Sequence, residues 1–401
     1  MTDLADLPFV AVADVYKNGQ LAASLRRTAQ GTEFGYFADY SGSSVATTLP
    51  LGSSVFTVGG AVPPFFAGLL PEGRRLSAIR TAVKTSADDE LSLLLAIGHD
   101  TVGDVQIVPS GSAPTEPAVA EVADSSQLSF RMLWANATGT EPERTGLAGV
   151  QPKVSARMIS FPVRVGAGRF ILKLNPPEFP HVVENEACFL AAARRSGLQV
   201  PAFDVLVDNH GERGLLVTRF DRSVGSDKAL IRHAQEDGCQ VLGRYPSDKY
   251  TAPLEQVING LAQCCPARAV AARELLRQFV FAHLTGNGDQ HAKNLSIVND
   301  GEWRASPCYD VPSTFVYNDH TTALAVGGKR RQDVTRRHVL ALADAIAVRR
   351  RSAEAVIDDL LDRLPTWLDS VQALPFDQRR LSKLDAMIRY RRDQLAHRAL
   401  S

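Results

Sequence analysis

The stretch Gly286-Asn287-Gly288-Asp289-Gln290-His291-Ala292-Lys293-Asn294, followed after a short interval by Tyr309-Asp310, restricts this chain to folds that can gather three small polar side chains. Asp289 and Asn294 make an Asp-x-x-x-x-Asn loop, and Asp310 adds a second carboxylate beyond a hairpin. Phosphoryl-transfer loops use this spacing. The first Asp takes the proton of an attacking hydroxyl, the Asn holds a Mg²⁺ ion, and the later Asp holds metal that bridges the ATP phosphates. The three converge only if the backbone between them doubles back. Gly286, Gly288 and the turn Asn299-Asp300-Gly301 give that freedom. The stretch predicts an enzyme.

The rest of the chain sets bounds on that enzyme. Its 401 residues predict two or three domains. A hydrophobic content of 45% with 22% charged residues is globular, and a formal net charge of zero speaks against wholesale electrostatic binding to nucleic acid. No apolar run is long enough to span a bilayer, and the beginning Met1-Thr2-Asp3-Leu4-Ala5-Asp6 is acidic where a secretory signal is basic. Cys188, Cys239, Cys264, Cys265 and Cys308 form no Cys-x-x-Cys pair. A cytoplasmic protein with reduced, structural thiols is expected.

Hydrophobic periodicity divides the chain. Phe9 to Tyr16 reads as a strand running through Lys17-Asn18-Gly19-Gln20 into a second, and helices follow at Leu76 to Val83 and Asp89 to Ile97. Residues 1–109 are taken as a first domain, and the Pro- and Ser-rich 110–125 as a linker. Residues 126–221 are strand-rich, with strands over 150–165, 168–174, 203–207 and 214–219 and a helix over 184–196. Beyond Asp221, residues 222–401 are expected to be largely helical apart from the opening loop. The fold class expected is α+β: a bilobal, protein-kinase-like fold with a β-rich N-lobe and a helical C-lobe, preceded by a small α/β N-terminal domain.

ATP chemistry also needs a cation on the phosphates and a carboxylate to fix it. Lys173 stands alone in the apolar strand Phe170-Ile171-Leu172-Lys173-Leu174, where an unpaired ammonium is costly. Glu186 on the following helix can pair with it, and Glu184 is a second candidate. Thr145-Gly146-Leu147-Ala148-Gly149-Val150-Gln151-Pro152-Lys153 occupies the place of the phosphate-covering loop, whereas Gly166-Ala167-Gly168 reads as a hairpin turn. Leu215 to Arg222 joins the lobes. There a backbone strand can meet the adenine edge and Asp221 can reach the ribose hydroxyls or cap a helix. His291 has no His partner at zinc spacing and reads as positioning or packing, while Lys293 can neutralise charge on the transferred phosphoryl. Among the basic clusters, Lys329-Arg330-Arg331 after Gly327-Gly328 is the best candidate for a phosphate or acidic partner.

Taken together, the chain resembles the HipA family of serine/threonine kinase toxins from bacterial toxin–antitoxin pairs. The residues that carry the resemblance are Phe65 to Gly73, Ala148 to Lys153, Asn185-Glu186, Arg219 to Arg222, Gln235 to Gln240, Lys249-Tyr250, Gly286 to Asn294 and Pro307 to Asp310. The resemblance implies that Gly149, Val150, Gln151 and Lys153 cover the ATP phosphates. It also implies that Lys173 touches them with Glu186 behind it, and that Thr218, Arg219 and Phe220 form the adenine hinge, with Asp221 on the ribose. Asp289 would be the base, assisted by Lys293, with His291 beside the nucleotide and Asn294 and Asp310 on Mg²⁺. It further implies a HipB-like helix-turn-helix antitoxin as partner, DNA contacted only through that antitoxin, and a protein substrate such as an aminoacyl-tRNA synthetase, giving growth arrest and persistence. In described members a Ser three residues before the Gly matching Gly149 is autophosphorylated; here Gly146 stands there, with Thr145 as the neighbouring substitute. Two other readings stay open at this level: a small-molecule phosphotransferase, and a catalytically quiet co-repressor acting with a DNA-binding antitoxin.

Overall fold

The structure, a computed structural model, describes residues 3–116, 119–122, 124–138, 159–330 and 333–397. Its amino-terminal unit is a five-stranded antiparallel sheet. The strands β1 (Val12–Lys17), β2 (Gln20–Arg27), β3 (Gly31–Tyr36), β4 (Ser54–Val58) and β5 (Val105–Pro109) lie in the order β4-β3-β2-β1-β5. The Asn18-Gly19 turn that starts it has both residues at positive φ (48° and 76°), which pairs Lys17 with Gln20 as a tight hairpin requires. Three helices cover one face: α1 (Pro64–Leu69), α2 (Gly73–Val83) and α3 (Glu90–Ile97). Leu25, Phe34, Phe66, Leu91 and Leu94 interlock there as a separate core. The loop Leu70 to Glu72 joins α1 to α2.

A second sheet builds the upper lobe. Its strands are β6 (Ala120–Glu121), β7 (Ile159–Val165), β8 (Gly168–Leu174), β9 (Phe203–Val207) and β10 (Arg213–Thr218), in the order β6-β7-β8-β10-β9. Gly166 (φ 56°) and Ala167 close the β7–β8 hairpin, as the sequence suggested. Leu172 and Leu174 face helix α4 (Phe130–Thr138) through Phe130 and Trp134. The period of two therefore turns Lys173 to the opposite face, beneath helix α5 (Val182–Arg195). The stretch expected as a linker ends in this sheet: β6 lies parallel to β7, and Val122 is buried.

The lower lobe is not helical from its start. Residues 222–237 form β11 (Arg222–Val224), β12 (Leu230–Arg232) and β13 (Ala234–Asp237), because β-branched Val224 and Ile231 flank a turn in which Lys228 takes a positive φ of 67°. Helices α6 (Gly238–Val241), α7 (Leu254–Gln263) and α8 (Arg268–Thr285) then lead to the hairpin β14 (Ser296–Asn299) and β15 (Trp303–Ala305), which joins β13. The end of the chain adds α9 (Arg336–Ala345), α10 (Arg350–Arg363), α11 (Pro365–Leu368) and α12 (Gln378–Ala396). One large core fuses these to α5 and to Leu215 and Val217 of β10, so the two lobes share packing along the back of the cleft. Among the described residues no helix is long and apolar enough to cross a membrane.

Candidate active site

Strand and helix periodicity decide the first contact. Lys173 Nζ lies 2.7 Å from Glu186 Oε1 and 3.0 Å from Asp310 Oδ1. Glu184, the other candidate, instead accepts from Asn175 at 3.2 Å. Burial works against the Lys173 ammonium, but Asp310 and Glu186 more than offset it and hold it charged. Two carboxylates share this one cation, so their affinities for protons separate. Burial pushes Glu186, only 1% exposed, up to about 7 despite Lys173, whereas Lys173 holds Asp310 below the usual carboxylate range against its own desolvation. Asn185 fixes α5 in place: its side chain donates to the Ser313 carbonyl and accepts from the Ser313 N–H, each at 2.9 Å. Asp310 itself sits at φ 54°, a conformation that L residues reach at some cost and that recurs at functional sites.

Helix α8 stops at Gly286, whose φ of 74° makes the left-handed cap from which the loop starts. A Cβ there would lie 2.6 Å from Met387 Cε and 3.0 Å from Phe315 Cβ. Gly288 serves differently: its φ is ordinary, but a Cβ would come within 2.7 Å of the Thr321 carbonyl. Asn287 bridges the two halves of the site, accepting from the Asp289 N–H (2.9 Å) and donating to the Asp310 carbonyl (3.3 Å). Asn294 donates to the Asp289 carbonyl (2.9 Å), and its side chain helps keep Asp310 ionised. Asn294 thus meets both the Asp289 backbone and the Asp310 side chain. The Tyr250 hydroxyl donates to Asp289 Oδ1 at 2.6 Å, and burial together with the Asp289 charge raises its pKa. His291 packs edge-on against the Tyr250 ring, and burial, aided by Lys249, pushes it down to about 3, so it is a neutral imidazole.

The hinge residues have other commitments. The N–H groups of Thr218 and Arg219 bond the Ala202 and Arg169 carbonyls at 2.8 and 3.0 Å. Among the described residues, that of Phe220 has no bonded partner. Asp221, expected on the ribose hydroxyls, has both oxygens engaged: Arg219 (3.1 and 2.9 Å), Arg222 (2.8 Å) and the Gly103 N–H (3.0 Å) surround it. Burial would raise its pKa, and the two guanidinium groups keep it far below the carboxylate range. Both arginines also reach Asp100 and the Thr101 carbonyl. In this structure Asp221 therefore ties the hinge to the amino-terminal unit rather than capping a helix.

Lys293 is likewise held from outside its own lobe. Its Nζ donates to the Gly68 carbonyl at 2.9 Å, with Asp237 Oδ2 at 3.5 Å and Glu72 Oε1 at 3.7 Å. It lines a cleft of about 1140 Å³, open mouth included, with Pro162, Ile171, Arg219, Asn294 and Asp310. Glu72, Asp100 and Tyr250 were missed as site residues. Glu72 and Tyr250 lie in stretches that carry the family resemblance and Asp100 does not, but no local pattern tells which loop a distant carboxylate will meet. Arg330 of the basic cluster turns onto Tyr250, donating to its carbonyl at 2.6 Å. Thr145, Gly146, Gly149, Val150, Gln151, Lys153 and Arg331 lie outside the described residues.

Comparison with known proteins finds matches to two stretches of the chain. Residues 13–108 match the HipA N-terminal domain and residues 145–368 the HipA-like C-terminal domain. Y4mE of Sinorhizobium fredii, named as a kinase, is 31% identical over 347 residues, 80% of this chain and 82% of that protein. The serine/threonine-protein kinase toxin HipA of Shewanella oneidensis is 26% identical over 310 residues, 71% of this chain and 70% of that one. The solved structure of Shewanella oneidensis HipA with HipB and operator DNA superposes with a TM-score of 0.79 at 21% identity, covering 96% of this chain and 97% of that one, which establishes the fold.

Proposed function

The chain belongs to the HipA family, and from that premise we propose that it is an ATP-dependent serine/threonine protein kinase and the toxin of a toxin–antitoxin pair. One observation carries the reading: Lys173 bonds Glu186 and Asp310 at once, with Asn294 beside Asp310 and Asp289 on the same loop. Lys173 orients the ATP phosphates while Glu186 fixes its direction. The Phe220 N–H is the hinge donor left for an adenine edge. Asp289, steadied by Tyr250, takes the proton of the acceptor hydroxyl as its oxygen attacks the γ-phosphorus and the bond to the departing ADP oxygen breaks. Lys293 lies where it can meet charge on the transferred group. Asn294 and the ionised Asp310 are a hard oxygen pair of the kind that holds Mg²⁺ in company with phosphates. Bound there, Mg²⁺ supplies positive charge that offsets the charge of the phosphates.

By the same family argument the partner is a HipB-like helix-turn-helix antitoxin, DNA is reached through it, and the substrate is a protein, with a translation component such as an aminoacyl-tRNA synthetase foremost and growth arrest as the outcome. Thr145 is the candidate self-phosphorylation site.

Asp289→Asn is the test. Transfer of label from γ-labelled ATP to proteins of a cell extract is expected to fall a hundredfold or more, with ATP affinity within a few-fold of wild type and no growth arrest on expression without antitoxin. Transfer or arrest that survives the substitution defeats the reading. Wild-type protein that labels small hydroxyl compounds and no protein would mark a small-molecule phosphotransferase instead.

A further inference from the structure

We propose that Glu72, from the amino-terminal domain, is a positioning residue for the kinase centre: it holds Lys293 facing the cleft, so that the site is complete only when the α1–α2 loop is docked. This rests on the phosphate-facing role given to Lys293 above.

An ammonium has three donors. Lys293 uses one on the Gly68 carbonyl, and the two carboxylates beside it, Asp237 at 3.5 Å and Glu72 at 3.7 Å, stand beyond good hydrogen-bond length. The ammonium is poised between two negative groups at nearly equal distance, with the cleft in front. Glu72 is anchored in turn. One carboxylate oxygen bonds Lys249 Nζ, and the other, Oε1, is buried without a hydrogen-bond partner and points at Lys293. Two acids, Glu72 and Asp237, thus balance two cations, Lys249 and Lys293.

The docking is close-fitting. Gln240 Nε2 donates to the Phe65 carbonyl at 3.0 Å, and a Cβ on Gly68 would lie 2.7 Å from the Gln240 side chain. Gln240 also completes the capping box of α6 around Asp237, the second carboxylate beside Lys293. Without the Glu72 charge, Asp237 is the nearer and unopposed attraction. Lys293 then closes onto it, turning its donors from the cleft into an internal ion pair.

The experiment is a double-mutant cycle on the full chain with Glu72→Gln and Lys293→Met, reading ADP release at saturating Mg²⁺·ATP together with ATP affinity by calorimetry. Glu72→Gln is expected to lower kcat ten- to hundredfold with ATP affinity changed less than threefold. It is expected to have no further effect in the Lys293→Met background, and Glu72→Asp should recover part of the rate. Additive effects, or an affinity loss as large as the rate loss, would overturn the inference while leaving the role of Lys293 intact. A Lys293→Met protein with full kcat would overturn that role, and this inference with it.

Discussion

Glu186→Gln separates what burial does at the Lys173 pair from what charge does. Glu186 is 1% exposed, and its carboxyl moves from 4.5 to about 7 on folding, with desolvation the largest cause. Below pH 4.5 the group is protonated in both folded and unfolded chains and has no differential effect. Between pH 4.5 and 7 the unfolded chain ionises while the folded one keeps its proton, so the stability that this group contributes is lost as pH rises. Above pH 7 both are ionised and the loss is complete. At about 1.4 kcal/mol per unit, the displacement corresponds to about 3 kcal/mol. Lys173 is displaced from 10.5 and acts only at alkaline pH, outside this window. Glutamine keeps an oxygen for Lys173 Nζ and has no proton to lose. Urea unfolding of both proteins from pH 4.5 to 8 should therefore show the variant gaining about 3 kcal/mol on wild type across the range, most of it by pH 7. Parallel curves would refute the argument and mean that Lys173 fully compensates Glu186. The rate should still fall, since Lys173 keeps only Asp310 as a charged neighbour.

Two further substitutions test the loop. Tyr250→Phe removes a part-buried 2.6 Å hydrogen bond to Asp289, and kcat is expected to drop about tenfold with ATP affinity unchanged; an unaltered kcat would show that Asp289 is aimed by the backbone alone. Gly286→Ala imposes a side chain at φ 74° and a contact with Phe315, and should lower stability by about 1–3 kcal/mol in urea unfolding; a neutral result would mean that the end of α8 relaxes freely.

The parts of the site that could be read in the sequence are those set by local rules. A lone lysine in an apolar strand asks for a partner, and the helix after it offers two glutamates; only the rotation of α5, fixed by Asn185 against Ser313, chooses Glu186 over Glu184. Asp289, Asn294 and Asp310 were legible because the turns between them were. The contacts of Asp221 and Lys293 were not, because Gly103, Gly68 and Glu72 lie more than a hundred residues earlier in the chain, brought to them by packing between separately folded units. The strands at 222–237 were passed over because each is only three or four residues long, too short for periodicity to register.

The knot of Arg219, Asp221 and Arg222 around Asp100 and Gly103 gives the molecule a mechanical asymmetry. The amino-terminal domain is riveted to the hinge by that knot and to the lower lobe through Thr47–Glu236, Phe65–Gln240 and Glu72–Lys249. Toward the upper lobe it reaches with a part-buried ion pair, Arg74 to Glu178 at 2.6 Å, and with the packing of α2 on α4 and β7. The first and last segments of the chain are therefore locked to each other by polar contacts, while the sheet carrying Lys173 meets the last segment through the apolar core behind the cleft.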